Sequence, residues 1–133
     1  MRVKDLMSKD VITVSPKASI RAAARIMDEH GIGCLVVMQG KEVSGILTVR
    51  DVIKVLADHR AKDLDKVPVG YAMEEHVASV APDSDICTAI EMMEEGRVMK
   101  LPVVEKGKLV GIVTSADIVE CYPGIKAKCK KKK

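Results

Sequence analysis

The chain has 133 residues, 47% hydrophobic and 31% charged, which describes a globular domain or two small halves sharing a core and excludes a disordered chain. No apolar run approaches the ~18 residues of a membrane span; the longest, such as Cys34-Leu35-Val36-Val37-Met38, are strand-sized. Of 22 basic residues, six are lysines within 126–133, and the rest of the chain holds 16 basic against 19 acidic residues, so the net charge of +3 belongs to the tail.

Lys4, Asp5, Lys9 and Asp10 interrupt any apolar leader, so the expected location is cytoplasmic, with no membrane partner. Of four cysteines, Cys34, Cys87, Cys121 and Cys129, such a setting keeps the two beside the tail, Cys121 and Cys129, as thiols. No Cys-x-x-Cys pair occurs, so no metal site is expected, and Cys34 and Cys87 read as small buried hydrophobes. With no Trp, no Phe and only Tyr71 and Tyr122, the core must be aliphatic.

In chain order, Val3 to Met7 reads as a short helical turn and Val11-Ile12-Thr13-Val14 as a β-branched strand ended by Ser15-Pro16. Ser19 is placed to cap a helix whose Ile20, Ala23, Ala24 and Met27 share one face, and Gly31 and Gly33 end it. His30 suits the C-terminal end of that helix better than a ligand site. Leu35 to Met38 reads as a buried strand, Gln39-Gly40-Lys41 as a hairpin turn and Val43 to Leu47 as the return strand. A helix then begins near Val49, with an apolar face of Val49, Val52, Ile53 and Leu56. Residues 58–68 are charged, include His59 and Arg60, and close at Pro68; they read as a linker.

The order then repeats. Val69–Met73 matches Val3–Met7, and Val77 to Pro82 matches Val11 to Pro16. Asp85 stands where Ser19 stood, before a stripe of Ile86, Ala89, Ile90 and Met93. Leu101-Pro102-Val103-Val104 is matched to Cys34-Leu35-Val36-Val37 with a one-residue insertion. Gly45-Ile46-Leu47-Thr48-Val49-Arg50-Asp51 returns as Gly111-Ile112-Val113-Thr114-Ser115-Ala116-Asp117, 66 residues later. The fold class is therefore α/β (α+β): two β-α-β-β-α units, at 1–57 and 69–122, packed about a pseudo-two-fold axis. Residues 123–133 form a basic tail expected to be disordered.

The paired pattern resembles a tandem cystathionine-β-synthase (CBS) domain pair over residues 3–122. It rests on strands ending at Pro16 and Pro82, apolar strand pairs around a glycine turn, and Gly-h-x-Thr-x-x-Asp before the last helix of each half. The resemblance implies a regulatory module in which clefts between the repeats bind adenosyl ligands: AMP, ADP, ATP, or S-adenosylmethionine and methylthioadenosine. It also implies a homodimer and a regulated protein of unknown identity, with no required cofactor and no catalysis.

On that resemblance the first cleft comprises Ile12, Thr13, Ile32, Gly33, Cys34, Leu35, Thr48, Arg50 and Asp51. The second comprises Ala78, Ser79, Lys100, Leu101, Pro102, Thr114, Ala116 and Asp117. From the residues alone, Thr48 with Asp51 reads first as an ordinary helix cap; the resemblance implies instead a hydroxyl and carboxylate for phosphate and ribose. Arg50 offers phosphate a bidentate fork where Ala116 offers nothing, so the first cleft is expected to prefer phosphorylated adenosine. The second is expected to bind more weakly or to prefer an uncharged tail. Aliphatic side chains such as Ile32, Val11 and Met99 would sandwich the base. Two further classes remain: nucleic-acid binding by the lysine tail, against which the near absence of aromatics weighs, and a purely structural dimerisation module.

Overall fold

A computed structural model describes residues 1–58, 62–121 and 123. The linker positions His59 and Arg60, together with Tyr122 and the tail from Gly124 with its Cys129, lie outside the described residues. Contacts divide the chain into two compact units: Ile12–Val77, and Met1–Val11 with the chain from Ala78 onward.

The first of these holds β1 (Thr13–Val14), α1 (Ile20–His30), β2 (Cys34–Gln39), β3 (Glu42–Thr48), α2 (Val49–Ala57) and α3 (Val69–Ala72). β2 is central, with β1 parallel on one side and β3 antiparallel on the other. Leu35, Val36 and Val37 are all fully buried, so β2 is covered on both faces, as its unbroken apolar run requires. Ser19 Oγ accepts the Ala22 N–H at 3.0 Å and starts α1. Gly31 ends it in the left-handed conformation at φ 61°, which glycine adopts without steric cost. His30 sits there as expected, donating from Nδ1 to the Ile26 carbonyl at 3.0 Å. The core joins Val14, Ile20, Ala23 and Met27 to Leu35, Leu47, Val55 and Val69.

The second unit holds α4 (Ile86–Gly96), β4 (Lys100–Glu105), β5 (Lys108–Thr114) and α5 (Ser115–Glu120), with a 3-10 turn at Val3–Asp5. β4 and β5 form an antiparallel pair with the same irregularity as β2 and β3, at Val103/Val104 and Val37/Met38 respectively. Its core joins Val3, Val80, Ile86 and Ala89 to Met93, Leu101, Val103 and Val113.

Sequence order and packing order differ. Val3 is fully buried among elements of the second half, and Val69 among those of the first. The expected repeats at 1–57 and 69–122 follow the chain, whereas the compact units exchange these leading arms. Each arm has a glycine to lie against. Arm residues Met73 and Glu74 cross Gly45, with Ile46 bridged to Glu74 by bonds of 2.9 and 3.0 Å. Met7 and Ser8 cross Gly111 in the same way, with Ser8 bridged to Ile112. A Cβ on Gly45 would run into the Glu74 carbonyl oxygen, and one on Gly111 would lie 2.9 Å from the Ser8 carbonyl oxygen. The close backbone approach that these glycines permit is made by the chain's own arms.

Three local expectations change. The insertion before Leu101 is absent: Lys100 pairs with Thr114 as Cys34 pairs with Thr48, so the 66-residue interval holds through the strands. Leu101-Pro102 therefore stands at Leu35-Val36. The expected strand Val11–Val14 is reduced to Thr13–Val14, and its counterpart to a single parallel bridge from Val80 to Val103. Of the apolar stripe expected on α2, only Val52 packs against the core. Val49, Ile53 and Leu56 are exposed, Ile53 by 56%, while Val55 packs inward. Among the cysteines, Cys34 and Cys121 are thiols and half-buried, and Cys87 is buried in the core as expected.

Candidate functional site

In the unit Ile12–Val77, three segments meet at one end of the sheet. β2 begins at Cys34, directly opposite Thr48 at the end of β3, where α2 starts. The Val49 N–H donates to the Gly33 carbonyl at 3.1 Å, tying the entry of β2 to the first turn of α2. The Val36 N–H donates to the Ile12 carbonyl at 3.4 Å and brings the start of β1 alongside. Thus Ile12, Thr13, Gly33, Cys34, Thr48, Arg50 and Asp51 are gathered by backbone bonds. Ile32 adjoins Gly33 and packs against the apolar core. Leu35 is fully buried, so it supports the site from below.

Thr48 and Asp51 form a complete capping box. The Asp51 N–H donates to Thr48 Oγ1 at 3.3 Å, and the Thr48 N–H donates to Asp51 Oδ2 at 2.8 Å. The Thr48 hydroxyl also donates to Oδ2, at 2.9 Å. Both latter bonds end on Oδ2, and among the described residues no hydrogen bond reaches Oδ1. The cap thus occupies one carboxylate oxygen and leaves the other as an acceptor. Asp51 is only 3% exposed, and it is the only buried polar or charged residue among those described. Its neighbour Arg50 is exposed and makes no ion pair among the described residues.

The other unit repeats this with substitutions. The Ser115 N–H donates to the Met99 carbonyl at 2.8 Å. The Thr114 N–H and hydroxyl donate to Asp117 Oδ2 at 2.9 and 3.0 Å, and the Asp117 N–H returns to Thr114 Oγ1 at 3.2 Å. Oδ1 is again unclaimed among the described residues. Asp117 is half-buried rather than buried, and Ala116 is exposed. With the interval constant, Met99 replaces Gly33, Lys100 replaces Cys34 and Pro102 replaces Val36. Met99 is 67% exposed. Lys100 lies beside Thr114 across the strand pair, so this site has a cation after all, on a strand instead of on the helix.

Pro102 also explains why the second unit lacks an equivalent of β1. Its ring leaves no N–H to donate to the Ala78 carbonyl, the bond that Val36 makes to Ile12. Only the bonds around Val80 survive: its N–H to the Pro102 carbonyl at 3.0 Å and its carbonyl from the Val104 N–H at 2.9 Å. Ala78 and Ser79 are exposed, and among the described residues nothing donates to the Ala78 carbonyl.

Each predicted set of site residues thus lies within one unit. The roles of Gly33 against Met99, and of Val36 against Pro102, were hidden by the assumed insertion; the unbroken 66-residue count exposes them. Among the described residues no group of three or more His, Cys, Asp or Glu side chains could hold a metal ion, and no helix is long and apolar enough to cross a membrane.

Comparison with known proteins places these sites in context. The family model "CBS domain" matches residues 3–58 and again 63–124. Uncharacterized protein MK0525 of Methanopyrus kandleri is 39% identical over 91% of this chain, which spans 62% of that protein's length. CBS domain-containing protein YhcV of Bacillus subtilis is 34% identical over 87% of this chain and 81% of its own. Among solved structures, the CBS domain pair of protein MJ0100, in complex with 5-methylthioadenosine and S-adenosyl-L-methionine, superposes with a TM-score of 0.84 at 31% identity. That match covers 95% of this chain and 98% of the other.

Proposed function

The chain belongs to the CBS-domain family as a tandem pair, and from that premise we propose that it is a regulatory module sensing adenosyl nucleotides (AMP, ADP or ATP) and modulating a partner protein or its own assembly. The observation that carries this reading is the unclaimed Oδ1 of Asp51 and of Asp117. Each carboxylate already holds a helix start with Oδ2. The remaining oxygen can accept from a ribose hydroxyl without loosening the cap, so capping and ligand binding do not compete. Arg50, exposed at the start of α2, supplies a fork for phosphate, and the helix N-terminus adds a partial positive charge.

A second reading applies to the site around Asp117. Ala116 removes the fork, Lys100 offers only a point charge, and Met99 offers an exposed thioether surface. That combination suits a nucleoside with an uncharged or zwitterionic sulfur tail, the class of ligand held by the MJ0100 pair. The exposed stripe Val49, Ile53 and Leu56 on α2 supports a homodimer, since burying it against a second copy removes apolar surface from water. A lysine at position 53 is then expected to shift the sedimenting species to monomer.

Calorimetric titration with AMP, ATP, S-adenosylmethionine, methylthioadenosine and NAD tests the reading. Adenosyl ligands are expected to bind, and binding is expected to vanish when Asp51→Asn and Asp117→Asn are combined. No heat with any ligand would leave a structural dimerisation module as the better account.

A further inference from the structure

The helices of the two units expose opposite charge. We infer that in the homodimer the α1/α2 face of one copy docks on the α4/α5 face of the second copy, and that neither face meets its own equivalent. The pairing rests on the homodimer proposed above.

Both faces share one repeated apolar position. Ile53 on α2 is 56% exposed, and Val119 on α5, 66 residues later, is 70% exposed. Neither belongs to the core of its own unit. Val49 and Leu56 widen the patch around Ile53, and all three are exposed. Covering such side chains removes apolar surface from water, but that gain is non-directional and does not choose between pairings.

The charges choose. α1 and α2 are in contact and expose Arg21, Arg25, Arg50 and Lys54 against Asp28 and Glu29, an excess of two positive charges. α4 and α5 pack on one core through Met93 and Ile118. They expose Glu91, Glu94, Glu95 and Glu120 and carry no cation, the nearest in sequence being Arg97 at the C-cap of α4. Glu91, Glu94 and Glu95 are three and four residues apart, so they line one side of α4. Arg21 is answered within its own unit by Asp65 at 3.0 Å. Arg25, Lys54 and the four glutamates make no ion pair among the described residues. Pairing α4/α5 with its own equivalent would set eight carboxylates together, and like charge brought face to face is costly. Crossed pairing sets these glutamates opposite Arg25 and Lys54, and a two-fold axis makes that contact twice.

Sedimentation equilibrium of the full chain and three variants tests the pairing. Arg25→Glu with Lys54→Glu reverses one face, Glu91→Lys with Glu94→Lys reverses the other, and a third variant carries all four changes. Crossed pairing opposes like charges in each of the first two, and their dimer Kd is expected to rise about tenfold or more. The four changes together restore opposite signs, and the Kd is expected to return to within about threefold of the parent, which separates lost pairing from lost folding. The parent dimer is expected to weaken between about 0.05 M and about 0.5 M salt, as attraction between exposed charges is screened. A face that met its own equivalent would still oppose like charges after reversal, so half-reversed variants that dimerise as the parent does overturn the inference. A combined variant that fails to recover, or a parent dimer that tightens with salt, overturns it as well. A parent that stays monomeric overturns the proposed homodimer itself, and the pairing with it.

Discussion

The two sites share a helix cap and differ in nearly everything around it. Thr48 with Asp51, and Thr114 with Asp117, make the same three bonds to within 0.1 Å. Around them Arg50 becomes Ala116, Gly33 becomes Met99, Cys34 becomes Lys100 and Val36 becomes Pro102. The lesson is that the repeated motif preserves the helix cap, while the chemistry of the side chains around it is free to differ. One site has its cation on the helix and a satisfied strand edge. The other has its cation on a strand, an exposed thioether and a free carbonyl.

The largest expected effect tests the scaffold. Gly45→Ala should destabilise the protein by about 2–3 kcal/mol, because the new methyl meets the backbone of the docked arm at Glu74. Gly111→Ala should cost less, about 1–2 kcal/mol, since its tightest contact, at 2.7 Å, is the flexible Met7 sulfur. Urea unfolding measures both. Equal small losses would mean that the arms do not need the glycines.

Next comes the cap. Asp51→Ala removes a buried acceptor and strands the Thr48 N–H and hydroxyl, at an expected cost of about 2 kcal/mol. Asp117→Ala should cost about 1 kcal/mol, because water reaches the half-buried site. A reversed order would contradict the burial difference.

A smaller effect has the opposite sign. Arg97 ends α4 in the left-handed conformation at φ 52°, where Gly31 ends α1. Arg97→Gly is expected to stabilise by about 1 kcal/mol by relieving the Cβ clash, whereas Gly31→Ala should destabilise. Thermal unfolding of the two variants checks the pair.

The smallest effect concerns pH. Lys4 pairs with Asp83 at 2.9 Å, and its hydrogen bond and charge hold that carboxyl below its ordinary value. A depressed folded-state pKa gives stability that is present above the unfolded pKa and lost as pH falls through the folded one. Both groups are exposed, so the effect should be slight and weakened by salt. Unfolding in acid should show Asp83→Asn slightly less pH-dependent than the parent. A steeper dependence in the variant would contradict the pair.

Much of this was legible in the sequence, because periodicity and capping are local. Ser19, Ile20, Ala23 and Met27 declared α1, and the Gly-to-Asp motif declared both helix starts. What could not be read was set by distant partners. Nothing local says that Val3 packs with Ile86 while Val69 packs with Ile20. The stripe Val49, Val52, Ile53 and Leu56 has the spacing of a core face, and only the packed structure shows that Val52 packs inward while the other three are exposed. The expected site residues of each half lie within one unit, yet the misplaced insertion hid the exchange of Cys34 for Lys100 and of Val36 for Pro102. Apolar strands such as Leu35-Val36-Val37 and Leu101-Pro102-Val103 match in more than one register, and pairing across the hairpin is what fixes it.

The central claim is that the Asp51 site binds phosphorylated adenosine through Arg50. Affinities of the parent and Arg50→Ala for AMP and for adenosine test it most directly. The account predicts that AMP binding falls about tenfold while adenosine binding changes less than about twofold. An equal loss for both ligands, or no loss for either, would contradict it.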